Sequence, residues 1–119
     1  MLAVALREHR GALSASLLAV YGIRIGDVPL SELADLTAYL PAGCAFWQSF
    51  GGPLAWSEDQ HLLARIEFLL RAIQFGLAGG KGTKPKPMEP PKFAAEQKAQ
   101  EAADRLKADR WLARDREKE

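Results

Sequence analysis

Apolar residues recur every three or four positions through most of the first 78 residues, the period of helices that each bury one face. Leu2, Leu6, His9, Leu13, Leu17 and Val20 draw a single stripe, predicting one helix with Gly11 as its weak middle and Gly22 as its left-handed cap. Gly26, Asp27 and Pro29 then mark a loop, into which Ile23 and Ile25 drop two core anchors on either side of Arg24. Ser31 is the candidate N-cap of a second helix, whose Leu33, Leu36 and Leu40 face one way until Pro41 stops it. In "PAGCAFWQSFGGPLAWSEDQ", Cys44, Phe46, Trp47 and Phe50 fit a short helical turn between Gly43 and Gly51. Ser57 and Gln60 form a capping box with Asp59 in the first turn, so a further helix begins there. Leu62, Leu63, Ile66, Leu69, Leu70, Ile73 and Leu77 give it a broad apolar face about 30 Å long, which predicts the principal core helix. Arg65, Glu67, Arg71 and Gln74 are expected on its wet side, and Gly79 and Gly80 end it.

The pattern stops at "GGKGTKPKPMEPPK", residues 79–92, where four prolines and three glycines forbid a helix and predict an extended joint. Beyond it, "FAAEQKAQEAADRLKADRWLARDREKE" has alanine and long charged side chains with no proline or glycine, so its helix propensity is high. For burial it offers only Ala95, Ala99, Ala102, Leu106 and the pair Trp111 and Leu112. At about 25 cal/mol per Å² of apolar area, such a stripe is too weak to fix the segment on a domain. The expected fold class is therefore all-α: a bundle of three to four helices over residues 1–78, a Gly/Pro/Lys linker over 79–92, and a protruding charged helix over 93–119 that frays or docks on another chain. Fourteen joint residues would reach about 40 Å at roughly 3 Å each, enough to carry that arm to a second subunit.

With 119 residues, this leaves a domain of modest size and a thin core. Sixteen basic against 15 acidic residues give a net charge of +1, which argues against a general nucleic-acid binder held by phosphate neutralisation. The single Cys44 excludes an internal disulfide and a cysteine cluster for zinc, in keeping with a reducing compartment. The longest apolar run, 61–77, carries Arg65, Glu67 and Arg71, and Leu2 to Leu6 precede "REHR" in the reverse order of a signal peptide. A cytosolic protein with no membrane partner is the expectation.

Reactive chemistry is sparse. His9 and His61 are the only imidazoles, and pairing either with Cys44 lacks a third, orienting group. Asp27, Glu32 and Asp35 lie in a loop and on a solvent face with no cleft implied. "GGKG" fails as a phosphate loop, since a helix precedes it and prolines follow. No catalytic residue, metal or cofactor is expected. Candidate partner contacts are the large rings of Trp47, Phe50 and Trp56, which a thin core leaves near the surface. Lys81, Lys84, Pro85 and Pro87 of the joint join them, as do Leu106, Trp111 and Leu112 of the tail, where a tryptophan has little intramolecular use.

"REHRGAL", "DVPLSELADLTAYL", "FWQSF", a tryptophan before the last core helix and "GGKGTKPKP" after it resemble the small tail assembly chaperones of actinobacterial long-tailed phages, over roughly residues 7–87. The joint, with Gly79, Gly80, Lys81, Gly82, Lys84, Pro85, Lys86 and Pro87, is the most specific element. "SASLLAVYG" departs from the acidic and aromatic residues that often follow "HRGAL", and the charged tail after Pro91 lies outside the pattern. The resemblance implies a non-catalytic chaperone in the host cytoplasm, absent from the mature virion. Its partners would be the tape-measure protein and the tail tube protein, with self-association or an upstream frameshift product besides. The alternative is a small helical DNA-binding regulator built on residues 31–50. Against it, "SELADLTAYL" is acidic and "CAFWQSF" offers only Gln48 to read base edges.

Overall fold

The computed structural model describes residues 1–116, and those residues are all-α. Its helices are α1 (Leu2–Glu8), α2 (Arg10–Tyr21), α3 (Leu30–Ala38), α4 (Ala45–Phe50), α5 (Glu58–Leu77) and α6 (Ala94–Arg116), with one 3-10 turn at Pro53–Ala55. The contacts that build the body run between α1 and α2, α2 and α3, α2 and α4, and α4 and the 3-10 turn. Leu13, Leu17, Leu33, Phe46 and Ala5 are fully buried at the centre, with Leu40 and Trp47 closing the cluster. Ile23 and Ile25 pack against it from the loop as expected, beside Tyr21, Val28 and Leu36.

Several buried polar groups are satisfied across elements, which locks the short helices in place. The hydroxyl of Ser16 on α2 accepts the backbone N–H of Phe46 at 2.9 Å, in the first turn of α4. That donor has no intrahelical partner, and Cys44, the residue in the N-cap position, makes no side-chain cap bond. The cap of α4 thus comes from another helix. The Trp47 indole N–H donates to the Leu40 carbonyl at 3.0 Å, and the Tyr21 hydroxyl donates to the Leu36 carbonyl at 3.2 Å.

Local signals hold where chemistry is local. Gly22 caps α2 at φ 69°, and both bonds of the Ser57–Gln60 capping box form at the start of α5. Two expectations shift. The first stripe is two helices, broken at His9 (φ −125°, ψ 23°) instead of weakened at Gly11; the His9 ring is tied to Ser49 of α4 at 2.7 Å, which anchors the break. Ser31 is not a cap, because α3 begins two residues earlier than expected, with Pro29 in the N-cap position, its extended ψ of 158° leading the chain into the helix.

The larger correction concerns α5. Far from being the principal core helix, it buries none of its residues. The body's interior is already filled by Phe46 and the leucines, and the turn at Gly51 to Ala55 launches α5 away from it. Of the expected wet side, Arg65 and Gln74 are exposed, whereas Glu67 and Arg71 are half-buried beside the chain's own joint, and the leucines and isoleucines face solvent as well. The chain is accordingly a flat, open body of 57 × 52 × 17 Å with a radius of gyration of 20.7 Å. A compact chain of this length would have a radius of gyration of about 13–14 Å.

Because Ser16 supplies the oxygen that accepts the buried Phe46 N–H, Ser16→Ala is expected to lower unfolding free energy by about 1–3 kcal/mol. Urea denaturation followed by Trp47 fluorescence measures the loss; a change within a few tenths of a kcal/mol would contradict the cross-helix cap.

Candidate interaction surface

The joint, residues 79–92, contains no helix or strand, yet it does not hold the tail away from the body. It runs back along α5. Arg71 reaches across with Nη2 donating to Glu67 Oε2 and to the Lys86 carbonyl, both at 2.9 Å. Pro85 is half-buried where Arg71, Gln74, Phe75 and Ala78 meet Thr83 to Lys86, and Met88, still 54% exposed, borders a groove together with Trp56, Gln60, Leu63 and Glu67. The Gly52 N–H then donates to the Pro91 carbonyl at 2.8 Å, and the Phe93 ring meets Phe50 edge-on at 5.9 Å. Free reach over the length of the joint is thus replaced by a strap with both ends fixed. Proline favours this, since a chain stiffened toward polyproline geometry loses little entropy when it lies along a helix.

Glycine permits the close approach at the strap's end. Gly51 and Gly52 are buried with φ of 84° and 86°, and a Cβ on Gly52 would run into the Phe93 ring. No sequence signal marked this contact in advance, because a Gly-Gly pair reads equally well as a flexible break.

The candidate contacts therefore separate. Trp47 is spent on the core at 5% exposure, and its indole N–H is already bonded, which corrects its reading as an interface anchor. Phe50 is half-buried among His9, Phe46, Trp47 and Phe93. Trp56 is half-buried against the His61 ring at 5.3 Å and forms one wall of the Met88 groove. Lys81, Lys84 and Pro87 are exposed along the strap, with Pro85 turned partly into it. Leu106, Trp111 and Leu112 are 59%, 59% and 50% exposed on α6, which itself buries no residue. Leu106 and Trp111 do not share a face, since five residues turn a helix by about 500°, leaving them roughly 140° apart.

Sequence reading missed the largest apolar surface by assigning it to the core. Leu62, Leu63, Ile66, Leu69, Leu70, Ile73 and Leu77 are all between 45% and 86% exposed. Their exposure together on one helix exceeds what single surface leucines ordinarily show.

The reactive groups lie in different settings. His9 Nδ1 is 2.7 Å from Ser49 Oγ, His61 Nε2 is 2.8 Å from the Pro53 carbonyl, and Cys44 is half-buried against the core. Gln48, the one side chain of α4 suited to reading bases, donates to the Gly43 carbonyl at 3.0 Å. Among the described residues there is no cluster of metal-ligating side chains and no helix long and apolar enough to cross a membrane. Comparison with protein-family models, with curated proteins and with solved structures finds no match for this chain.

Among the described residues one ion pair links α6 to the body: Lys98 Nζ lies 3.0 Å from Glu8 Oε2. The hydrogen bond from Lys98, its charge and the nearby Arg7 hold the Glu8 carboxyl below the ordinary value of 4.5. A depressed carboxylate contributes its attachment at neutral pH and loses it as pH falls through the folded-state value. The exposed pair is weak and salt-sensitive. Amide exchange in residues 94–98, corrected for intrinsic rates, should therefore accelerate below about pH 4.5, and Glu8→Gln should abolish that pH dependence. An identical profile in the two proteins would remove this pair from the attachment.

Proposed function

We propose that this chain is a tail assembly chaperone of a long-tailed phage. It acts without catalysis in the host cytoplasm, holding the tape-measure protein while tail tube subunits gather around it, and leaves before the virion is complete. The observation that carries this reading is that α6 buries none of its residues yet presents Leu106, Trp111 and Leu112 to solvent. An arm of this kind gains its apolar burial only on another chain, and an extended helical client offers such burial repeatedly along its length. Eight basic and seven acidic residues from Lys92 to the C-terminus keep the arm soluble and leave Trp111 as its largest anchor.

The strap adds to this. Of the element most specific to the phage resemblance, Gly79 to Pro87, the residues Lys84, Pro85 and Lys86 lie along α5, so this part of the motif supports the helix that projects from the body. Exposed Lys81 and Lys84 add weak charge contacts suited to reversible binding.

Co-expression with the tape-measure protein of the same genome, followed by pull-down, tests the reading. Trp111→Ala combined with Leu112→Ala should reduce recovery of the tape-measure protein on the order of 30-fold at limiting concentration, because an anchor tryptophan typically contributes at least about 2 kcal/mol. Both side chains are half-exposed or more, so the body stays folded. Undiminished capture would remove the arm from client binding, and a specific gel shift on DNA would favour the regulator instead.

A further inference from the structure

We propose that the bare face of α5 is the seam along which two copies of this chain associate. The proposal stands independently of the chaperone reading, because it concerns only the chain's own surface.

The spacing of the exposed residues is that of a coiled-coil helix. Leu62, Ile66, Leu69 and Ile73 alternate at four, three and four residues, and Leu63, Leu70 and Leu77 flank them at intervals of seven. In heptad terms the isoleucines take the a positions, Leu62 and Leu69 the d positions, and the flanking leucines the e positions. Isoleucine at a with leucine at d is the arrangement that packs two strands in parallel pairs.

The strap makes the assignment specific. It runs beside Gln60, Leu63, Ala64, Glu67, Arg71, Gln74, Phe75 and Ala78, all of which except Leu63 and Phe75 are b and f positions of the same register. The strap thus runs along the back of α5, meets the stripe at Leu63, and leaves the remaining seam residues bare.

A second copy is the occupant that this surface fits. The seven side chains are 45% to 86% exposed. They leave roughly 700 Å² of apolar surface, at on the order of 100 Å² each. That exceeds the largest patch of a typical monomer and approaches the ~800 Å² per partner of a stable interface. From Leu62 to Leu77 no charged residue occupies an a, d or e position, so the stripe asks of its partner only an equal stripe. An isologous pair supplies it from the same sequence, and the two seams bury each other. The chain's own α6 does not serve, because its apolar stripe is mainly alanine and its first turns are held at α1 by Phe93 and the Lys98–Glu8 pair.

Light scattering coupled to size-exclusion chromatography on the full chain tests this. At tens of micromolar the protein should have about twice the 13.1 kDa chain mass. Ile66→Lys and Leu69→Lys should each return it to a monomer with unchanged circular dichroism from the body, weakening association at least about 100-fold. Tyr39→Lys, at a residue 83% exposed on the body, should leave the dimer intact. A monomeric wild-type protein overturns the proposal, as does a dimer that survives both seam substitutions. A monomer whose seam is protected only when a tape-measure fragment is added overturns it too, and assigns the face to the client. Failure of the seam leaves the Trp111 pull-down unaffected, so the two readings fail separately.

Discussion

Gly51 and Gly52 hold φ near +85° with ψ close to 180°, a conformation essentially restricted to glycine, at the point where the chain leaves its core. Two consequences follow from that one constraint. The backbone turns sharply enough that Pro53 to Ala55 direct α5 outward, away from a core already closed by Phe46, Leu13 and Leu33. The missing side chains also leave space for residues 91–93 to return, so that the Pro91 carbonyl meets the Gly52 N–H and Phe93 settles on Phe50. Segment 53–91 is thereby a closed loop, with helix on its outward leg and strap on its return.

That loop holds a helix with its usual polarity inverted. Helices in folded proteins are stabilised chiefly by burying an apolar stripe against other elements. Here α5 has a capping box at one end, the Glu67–Arg71 pair in its middle and the strap along its polar back, while its apolar stripe faces outward. These supports order the helix without covering the stripe. A surface kept ordered and bare is ready for a partner without the cost of folding on contact. The arm α6 follows the same logic more loosely, anchored at Phe93 and Lys98 and exposed beyond.

Much of this was legible in the residues, and the boundary between what was and what was not is physical. The Gly22 cap, the Ser57–Gln60 box, the inward set Leu33 and Leu40, and the helical turn around Phe46 and Trp47 all depend on chemistry within a few positions. The stripe of α5 was equally legible as a stripe, but periodicity states that a face seeks burial without stating against what. Only the filled core and the glycine turn, both products of distant residues, decide that it stays outside. The cross-helix cap from Ser16, the break at His9 and the docking of the strap escaped for the same reason, since each depends on partners 30 or more residues away or on a path of backbone. Among the candidate contacts, Trp47 was lost to the core because its indole N–H finds the Leu40 carbonyl, whereas Trp111, with no core to enter, stayed exposed.

The central claim is that α5 is an ordered helix whose apolar face is completed by another chain. Hydrogen–deuterium exchange on the intact protein across a dilution series addresses it at the level of individual helices. Protection of residues 58–77 should rise with protein concentration while that of Leu13, Leu17, Leu33 and Phe46 stays constant, because only the first depends on association. Protection in α5 that equals the body's and is indifferent to dilution would mean that the helix is buried within a single chain, and would contradict the account.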